Sequence, residues 1–188
     1  MCETKSFTLW ALQVVLLLGL LVLVLWLSLR PRPPSFLVVN FSIPTSNNTT
    51  RENANLNSSA QFVLEIDNPN KDSGIYYDDA SLTFYYGPDA MGQKTLPGFY
   101  QKKSTTSQVT DRVSLDGKVW KRLVNALSNV TQEVKVAVAT RVRYRVWGHK
   151  SKHQGIRLHG KLPIGSDGKI SGKKKKIKLR RNTRKWKV

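Results

Sequence analysis

The sequence predicts a mainly β protein: one membrane-spanning helix, then an antiparallel β-sandwich of about seven strands with one amphipathic helix. Three observations predict it. Residues 8–29, TLWALQVVLLLGLLVLVLWLSL, hold no charge, and their polar members are Thr8, Gln13 and Ser28. Beyond them, period-2 alternation recurs in segment after segment with turn residues between, which is strand patterning. Long helical stretches do not alternate with those strands, so a parallel βαβ scheme is excluded.

Residues 1–7 are too few for a domain and read as a short cytosolic N-terminus. The 22 residues of 8–29 would span roughly 33 Å as a helix, close to the ~30 Å hydrocarbon core. In lipid a helix satisfies its own backbone polar groups, so one structure fits this run. Trp10 and Trp26 lie near its ends, where indole rings suit the headgroup level. A cleaved signal peptide would need a shorter apolar core and a small-residue cleavage site. This run ends in Leu-Ser-Leu-Arg-Pro-Arg-Pro-Pro, so it reads as an uncleaved signal anchor. The single cysteine, Cys2, precedes it. On the cytosolic side its thiol would be a candidate for S-acylation.

Residues 30–60 read as a Pro-rich spacer, a first strand at 36–43 and a loop rich in Asn, Thr and Ser. Residues 61–181 form the remainder of the sandwich, and 182–188 a basic tail. In the first strand Phe36, Val38 and Val39 are apolar, with Asn40 and Ser42 towards solvent. In 61–67, Phe62, Leu64 and Ile66 share a face. Asn68-Pro69-Asn70 ends that strand in a turn, because Pro offers no ladder donor and Asn tolerates left-handed backbone. Residues 74–78 and 81–86 are the next strands. Gly87-Pro88-Asp89 and Gly92 punctuate, and Pro97 and Gly98 make 96–101 a short irregular or edge segment. Residues 105–115 form a further strand.

The period then changes. Trp120, Leu123, Val124 and Leu127 fall at i, i+3, i+4 and i+7, a helical stripe within 116–128. Residues 134–146 form the clearest strand. Val134, Val136, Val138, Val142, Tyr144 and Val146 share one parity, broken by Thr140, and Lys135, Arg141, Arg143 and Arg145 occupy the other. Ile156, Leu158, Leu162 and Ile164 repeat the scheme. After the turn at Gly165–Gly168, residues 174–180 alternate once more, with Ile177 and Leu179 inward. The pattern suits a sandwich of fibronectin-III-like kind.

Orientation signals conflict. Lys5 and the α-amino group balance Arg30 and Arg32. Five N-x-Ser/Thr sequons, at Asn40, Asn47, Asn48, Asn57 and Asn129, favour a glycosylated module outside the cell.

The quoted segments Asn68-Pro69-Asn70-Lys71, Gly74-Ile75-Tyr76-Tyr77-Asp78 and Leu96-Pro97-Gly98-Phe99-Tyr100-Gln101 resemble a known plant family. It is that of the harpin-induced, non-race-specific-disease-resistance-like membrane proteins, whose soluble part is a late-embryogenesis-abundant domain of subgroup 2. The resemblance runs from the anchor to about Arg181. It implies a short cytosolic N-terminus, one spanning helix and a β-sandwich outside the plasma membrane, often at plasmodesmata. It also implies a role in defence, including the hypersensitive response, and in abiotic stress. The sequence departs from the family pattern at Lys102-Lys103-Ser104, where many members carry Gly-His-Lys. The resemblance names no catalytic residue.

Local chemistry points the same way. His149 and His153 stand four apart with no Cys or carboxylate in place to complete a metal site, and His159 lies on a strand. Asp78 and Asp79 are adjacent, so on a strand they point to opposite faces and make a poor acid–base pair. No nucleophile elbow or Gly-rich phosphate loop occurs. The expectation is no enzyme, no metal and no cofactor.

Charge is the strong chemical feature. Residues 33–133 carry 9 Lys/Arg against 10 Asp/Glu, whereas 134–188 carry 19 Lys/Arg and a single acidic residue, Asp167. Lys135, Arg141, Arg143, Arg145, Arg157, Lys161, Lys176, Lys178 and Arg180 would form one basic stripe if their strands are neighbours. Such a field attracts polyanions. Outside a plant cell that means acidic wall polysaccharide, and beside a bilayer it means anionic lipid. Unidentified protein partners in defence signalling are implied by the resemblance. The alternatives are a cytosol-facing module that binds anionic lipid or nucleic acid, and a general stress protectant without a ligand. The spanning helix and the lack of an aromatic-rich single-strand platform argue against nucleic acid.

Overall fold

The computed structural model of the protein describes residues 2–28, 30–44, 59–127, 130–146, 148–172 and 176–181. The sequons at Asn47, Asn48, Asn57 and Asn129, the tail 182–188 and the side chain of Cys2 lie outside the described residues. The chain divides into two units, Met1–Arg32 and Pro33–Val188, each taken by itself.

The first unit is helix α1 (Cys2–Ser28). Its stretch Phe7–Leu27 is long and apolar enough to cross a membrane. Large apolar side chains stand exposed on every side of it, among them Phe7, Trp10, Leu16, Leu20 and Trp26. A helix apolar all round has no polar face to turn to water.

The second unit is two antiparallel sheets. The smaller is built from β1 (Ser35–Ser42), β2 (Ser59–Asp67), β7 (Thr106–Ser114) and β11 (Ile177–Lys178), in the order β11-β1-β2-β7. In β1 the pairing register slips between Val38 and Asn40. This bulge at Val39 resets the parity. Phe36 and Val38 point inward before it and Phe41 and Ile43 after it, while Asn40 stays exposed.

The larger sheet is organised around β8 (Gln132–Val146). Along one edge, β8 pairs with β3 (Ser73–Tyr77) and β4 (Ala80–Tyr86). Along the other it pairs with β10 (Gln154–Ile164) and the short β9 (His149–Lys150). β5 (Asp89–Leu96) lies on β4, and β6 (Phe99–Gln101) on β3. The run from β3 to β6 is thus one hairpin turning at Gly87-Pro88 and bent at two matching points, Asp78-Asp79 and Pro97-Gly98. The bend is tied down: the Asp78 amide donates to Arg141 O at 2.9 Å, and Thr140 Oγ1 donates to Asp78 O at 2.9 Å. Thr140, which breaks the apolar parity of β8, is buried with its hydroxyl satisfied this way.

β5 corrects the sequence expectation, which left 89–95 outside any strand because of its turn-forming residues. Gly92 is there for space: a Cβ would come within 2.6 Å of Ser114 O. The 174–180 segment also differs. Within it Ile177–Lys178 joins the smaller sheet at β1, whereas β12 (Arg180–Arg181) joins the larger at β10. Leu179 sits at the crossing, buried, with its amide donating to Phe36 O at 2.8 Å. It packs into the space above Gly160 that a Cβ would fill.

Helix α2 (Gly117–Leu127) is capped by Asp116, whose Oδ1 accepts from the amides of Lys118 and Val119, both at 3.0 Å. That satisfies donors a helix start leaves orphaned. Val119, Leu123 and Leu127 are buried, with Trp120 on the flank of the stripe and only partly covered. The core lies between the sheets. Phe41 stacks on Phe84 at 4.8 Å, and Phe36 meets Tyr77 edge-on at 6.1 Å.

Candidate functional site

Antiparallel pairing places directly opposed residues on the same face. The registers therefore assign one outer face of the larger sheet. Arg145 faces Lys150 on one side and Gly74 on the other, and Arg143 faces Tyr76, which faces Tyr100. Farther along, Lys161 faces Lys135 and Arg157 faces Ala139. Arg180 opposes His159. Arg141 takes its place on the same parity, opposite Gly155. Seven of the nine basic residues singled out in the sequence thus share this face: Lys135, Arg141, Arg143, Arg145, Arg157, Lys161 and Arg180.

Lys176 and Lys178 do not. Lys178 pairs with Leu37 on the smaller sheet, and Lys176 Nζ binds Glu65 Oε2 at 2.9 Å there. They alternate with the right parity, but parity fixes a face and not a sheet. The hydrogen bonds from Lys176 and Gln108 hold the Glu65 carboxyl below its usual range. On the same sheet, the Arg112 amide and then Lys94 do so for Asp111.

The basic face is not uniform. Arg143 Nη2 approaches Asp78 Oδ1 at 3.5 Å, and His153 Nδ1 lies 3.1 Å from Asp78 Oδ2. Lys161 pairs with Glu133 at 3.1 Å. Arg141, Arg145 and Arg157 are exposed and carry no ion pair among the described residues.

An aromatic pair interrupts the cations. The Tyr76 and Tyr100 ring centroids are 4.5 Å apart and tilted by 40°. Arg143 lies over Tyr76 at 6.0 Å and Lys150 Nζ at 4.7 Å, within cation–π range. Tyr100 is 42% exposed. Its hydroxyl end occupies the space above Gly74 that any Cβ would fill. Sequence reasoning missed Lys150 and His153, because loop and short-strand residues carry no parity to assign them a face.

The remaining motif residues hold the sandwich together. Asn68 is fully buried, and its Nδ2 donates to Ser73 O and Lys102 O, each at 3.0 Å. Its Oδ1 accepts from the Asn70 backbone amide at 3.1 Å and from Asn70 Nδ2 at 2.9 Å, with Pro69 between them. Gln101 Nε2 donates to Ile66 O at 2.9 Å and Thr105 O at 2.8 Å, so it ties the larger sheet to the smaller. Tyr77 stacks on Phe99 at 4.6 Å. Leu96 is buried before Pro97. The Gly98 amide donates to Asp79 Oδ1 at 2.8 Å, and a Cβ on Gly98 would meet Tyr77 O at 2.7 Å. Burial pushes up the phenol pKa of Tyr77, and also that of Tyr144, where the charge of Arg181 opposes it. His149 is exposed on β9.

The second unit is thus a two-sheet sandwich in which Asn68, Gln101 and Thr140 spend buried polar groups on architecture and seven cations gather on one outer face. Residues 63–173 match the family described as Late embryogenesis abundant protein. Protein NDR1 of Arabidopsis thaliana is 32% identical over 183 residues, covering 91% of this chain and 80% of its own. NDR1/HIN1-like protein 26 of the same plant is 30% identical over 147 residues, covering 76% and 61%. NDR1/HIN1-like protein 3, also from Arabidopsis thaliana, is 28% identical over 173 residues, covering 83% and 71%. The chain belongs to the late embryogenesis abundant family and, within it, to the NDR1/HIN1-like proteins.

Proposed function

We propose that this is a single-pass plasma-membrane protein of plant defence and stress responses. Its N-terminus is cytosolic, and its sandwich is an extracellular, non-enzymatic module that holds acidic wall polymer on its basic face. The observation that carries the reading is the gathering of seven Lys and Arg side chains on one face of the larger sheet, with Arg141, Arg145 and Arg157 unpaired there among the described residues. Exposed cations keep their charge for a ligand, whereas paired ones are already partly neutralised. Asn40, exposed beside the bulge of β1, supports a glycosylated module.

Two measurements test this. The full chain expressed in plant cells should shift on a gel after glycosidase treatment, and the shift should vanish when Asn40, Asn47, Asn48, Asn57 and Asn129 are replaced. No shift, with the module digested only after the membrane is permeabilised, places it in the cytosol and refutes the orientation. In nanodiscs, the full chain should bind polygalacturonate in a salt-sensitive way, because exposed charges are screened over about 8 Å at physiological salt. Changing Arg141, Arg145 and Arg157 together to Gln should abolish that binding. Unaltered binding in this triple variant refutes the basic-face reading.

A further inference from the structure

We infer that Tyr100 is the platform of a single-ring sugar subsite, and that the ligand taken there is a uronic-acid-containing polysaccharide, its pyranose ring on Tyr100 and its carboxylate on Arg145 and Lys150. This rests on the polymer-binding reading above and gives it a location.

The registers lay six residues in two adjacent rows on the outer face. One row is Lys150, Arg145 and Gly74, and the next is Arg143, Tyr76 and Tyr100. Side chains in neighbouring rows of one face stand roughly 7 Å apart, and neighbouring strands about 4.8 Å. Gly74 leaves the first row empty above the backbone, and the Tyr100 ring leans across into that gap. The ring thus lies over the sheet with its hydroxyl end towards the Arg145–Lys150 row. Tyr76, its neighbour on β3, packs against it at 4.5 Å between centroids.

That arrangement leaves an aromatic ring partly exposed on the outer face. A tyrosine 42% exposed, lying over Gly74 and packed against Tyr76, suits the flat apolar C–H face of a pyranose. The cations at one end suit a carboxylate on the same ring. Arg143 and Lys150 already meet the Tyr76 ring, which biases those side chains towards the ring pair before a ligand arrives. The geometry disfavours single-stranded nucleic acid. Successive bases need successive open rings, and here one of the two rings serves to brace the other.

The test uses the full chain in nanodiscs of neutral lipid and three labelled probes read by fluorescence polarisation: a decamer of galacturonate, a polyphosphate of equal charge and a single-stranded RNA. Tyr100→Ala should weaken the galacturonate oligomer about tenfold, the typical worth of one stacked ring, and change polyphosphate binding less than twofold. Tyr100→Phe should retain both. Arg145→Gln with Lys150→Gln should weaken both. Equal losses for galacturonate and polyphosphate in Tyr100→Ala, or no loss for either, overturn the platform while leaving the basic-face reading intact. RNA bound more tightly than polyphosphate, and dependent on Tyr100, overturns the sugar in favour of a base. Failure of all three probes to bind overturns both readings.

Discussion

Tyr77 donates its phenolic hydrogen to Gln101 Oε1 at 2.8 Å, and both side chains are buried. The amide nitrogen of the same Gln101 donates to Ile66 O in the smaller sheet and Thr105 O in the following loop, with Ser107 Oγ also in reach at 3.3 Å. One side chain in the interior therefore fastens three segments. Gln101→Leu keeps the bulk and leaves a hydroxyl and two carbonyls without this partner. Each buried unsatisfied group costs about 1–3 kcal/mol, so the variant should lose about 3 kcal/mol or more in urea denaturation. Tyr77→Phe, which orphans one acceptor, should lose about 1–2 kcal/mol. A Gln101→Leu loss under about 1 kcal/mol would mean that the network is not structural.

Asn68→Asp is nearly isosteric, but it sets a carboxylate against Ser73 O and Lys102 O, both of which now receive a hydrogen from Nδ2. The expected loss at neutral pH is about 3 kcal/mol or more. The introduced carboxyl can donate only when protonated, so its folded pKa would lie above the ordinary value near 4. The folded state then binds more protons, and stability should rise as the pH falls through that folded value. A variant whose stability is flat or falls over the same acid range contradicts the assignment of the two carbonyls to Nδ2.

At the alkaline end the same sign applies to two native groups. Tyr77 and Tyr144 have raised phenol pKa values because burial disfavours the phenolate. Above pH 10.0, the ordinary value, the unfolded chain releases these protons and the folded chain keeps them. Stability is whole below that point and falls above it, by about 1.4 kcal/mol per pH unit for Tyr77. Tyr77→Phe should flatten the slope of the denaturation free energy between pH 10 and 11, and Tyr144→Phe should flatten it less, because Arg181 offsets part of that shift. Unchanged slopes would show that neither phenol is held protonated.

On the outer surface of the smaller sheet, Lys176→Gln should raise the titration midpoint of Glu65 towards the ordinary carboxylate value, read by NMR of its side chain. The lowered pKa in the parent makes this pair stabilising above the unfolded midpoint. Its contribution is lost as the pH falls through the lowered folded value. Parent and variant should therefore converge in stability in acid. An unmoved Glu65 midpoint would assign the shift to Gln108 instead.

Much of the sandwich was legible because alternation is a local signal. Val134, Val136 and Val138 need no partner strand to declare a buried face, and the helix around Leu123 and Leu127 declares its own period. What was not legible depends on partners. The bulge at Val39 is one extra residue opposite a strand more than twenty positions away. Leu179 belongs to neither sheet because the residues on either side of it pair with different ones. Pro97-Gly98 and Gly92 look like interruptions of 89–101, but they are sites where the backbone bends or approaches a neighbour. The site was half legible for the same reason. The charges were visible and their parity correct, yet the placement of Tyr100 over Gly74 needs a third strand.

The crossing at Leu179 also bears on the order of assembly. Synthesis delivers Phe36 early and Leu179 late, and loops of that length close slowly. Until residues 177–181 emerge, β1 and β10 each present unpaired backbone to any neighbouring chain. The closing segment should therefore act as a latch against self-association during biogenesis. A chain stopped before residue 176 would keep most of the core residues and lose the latch, and in detergent that shields α1 light scattering should find it associating where the full chain does not.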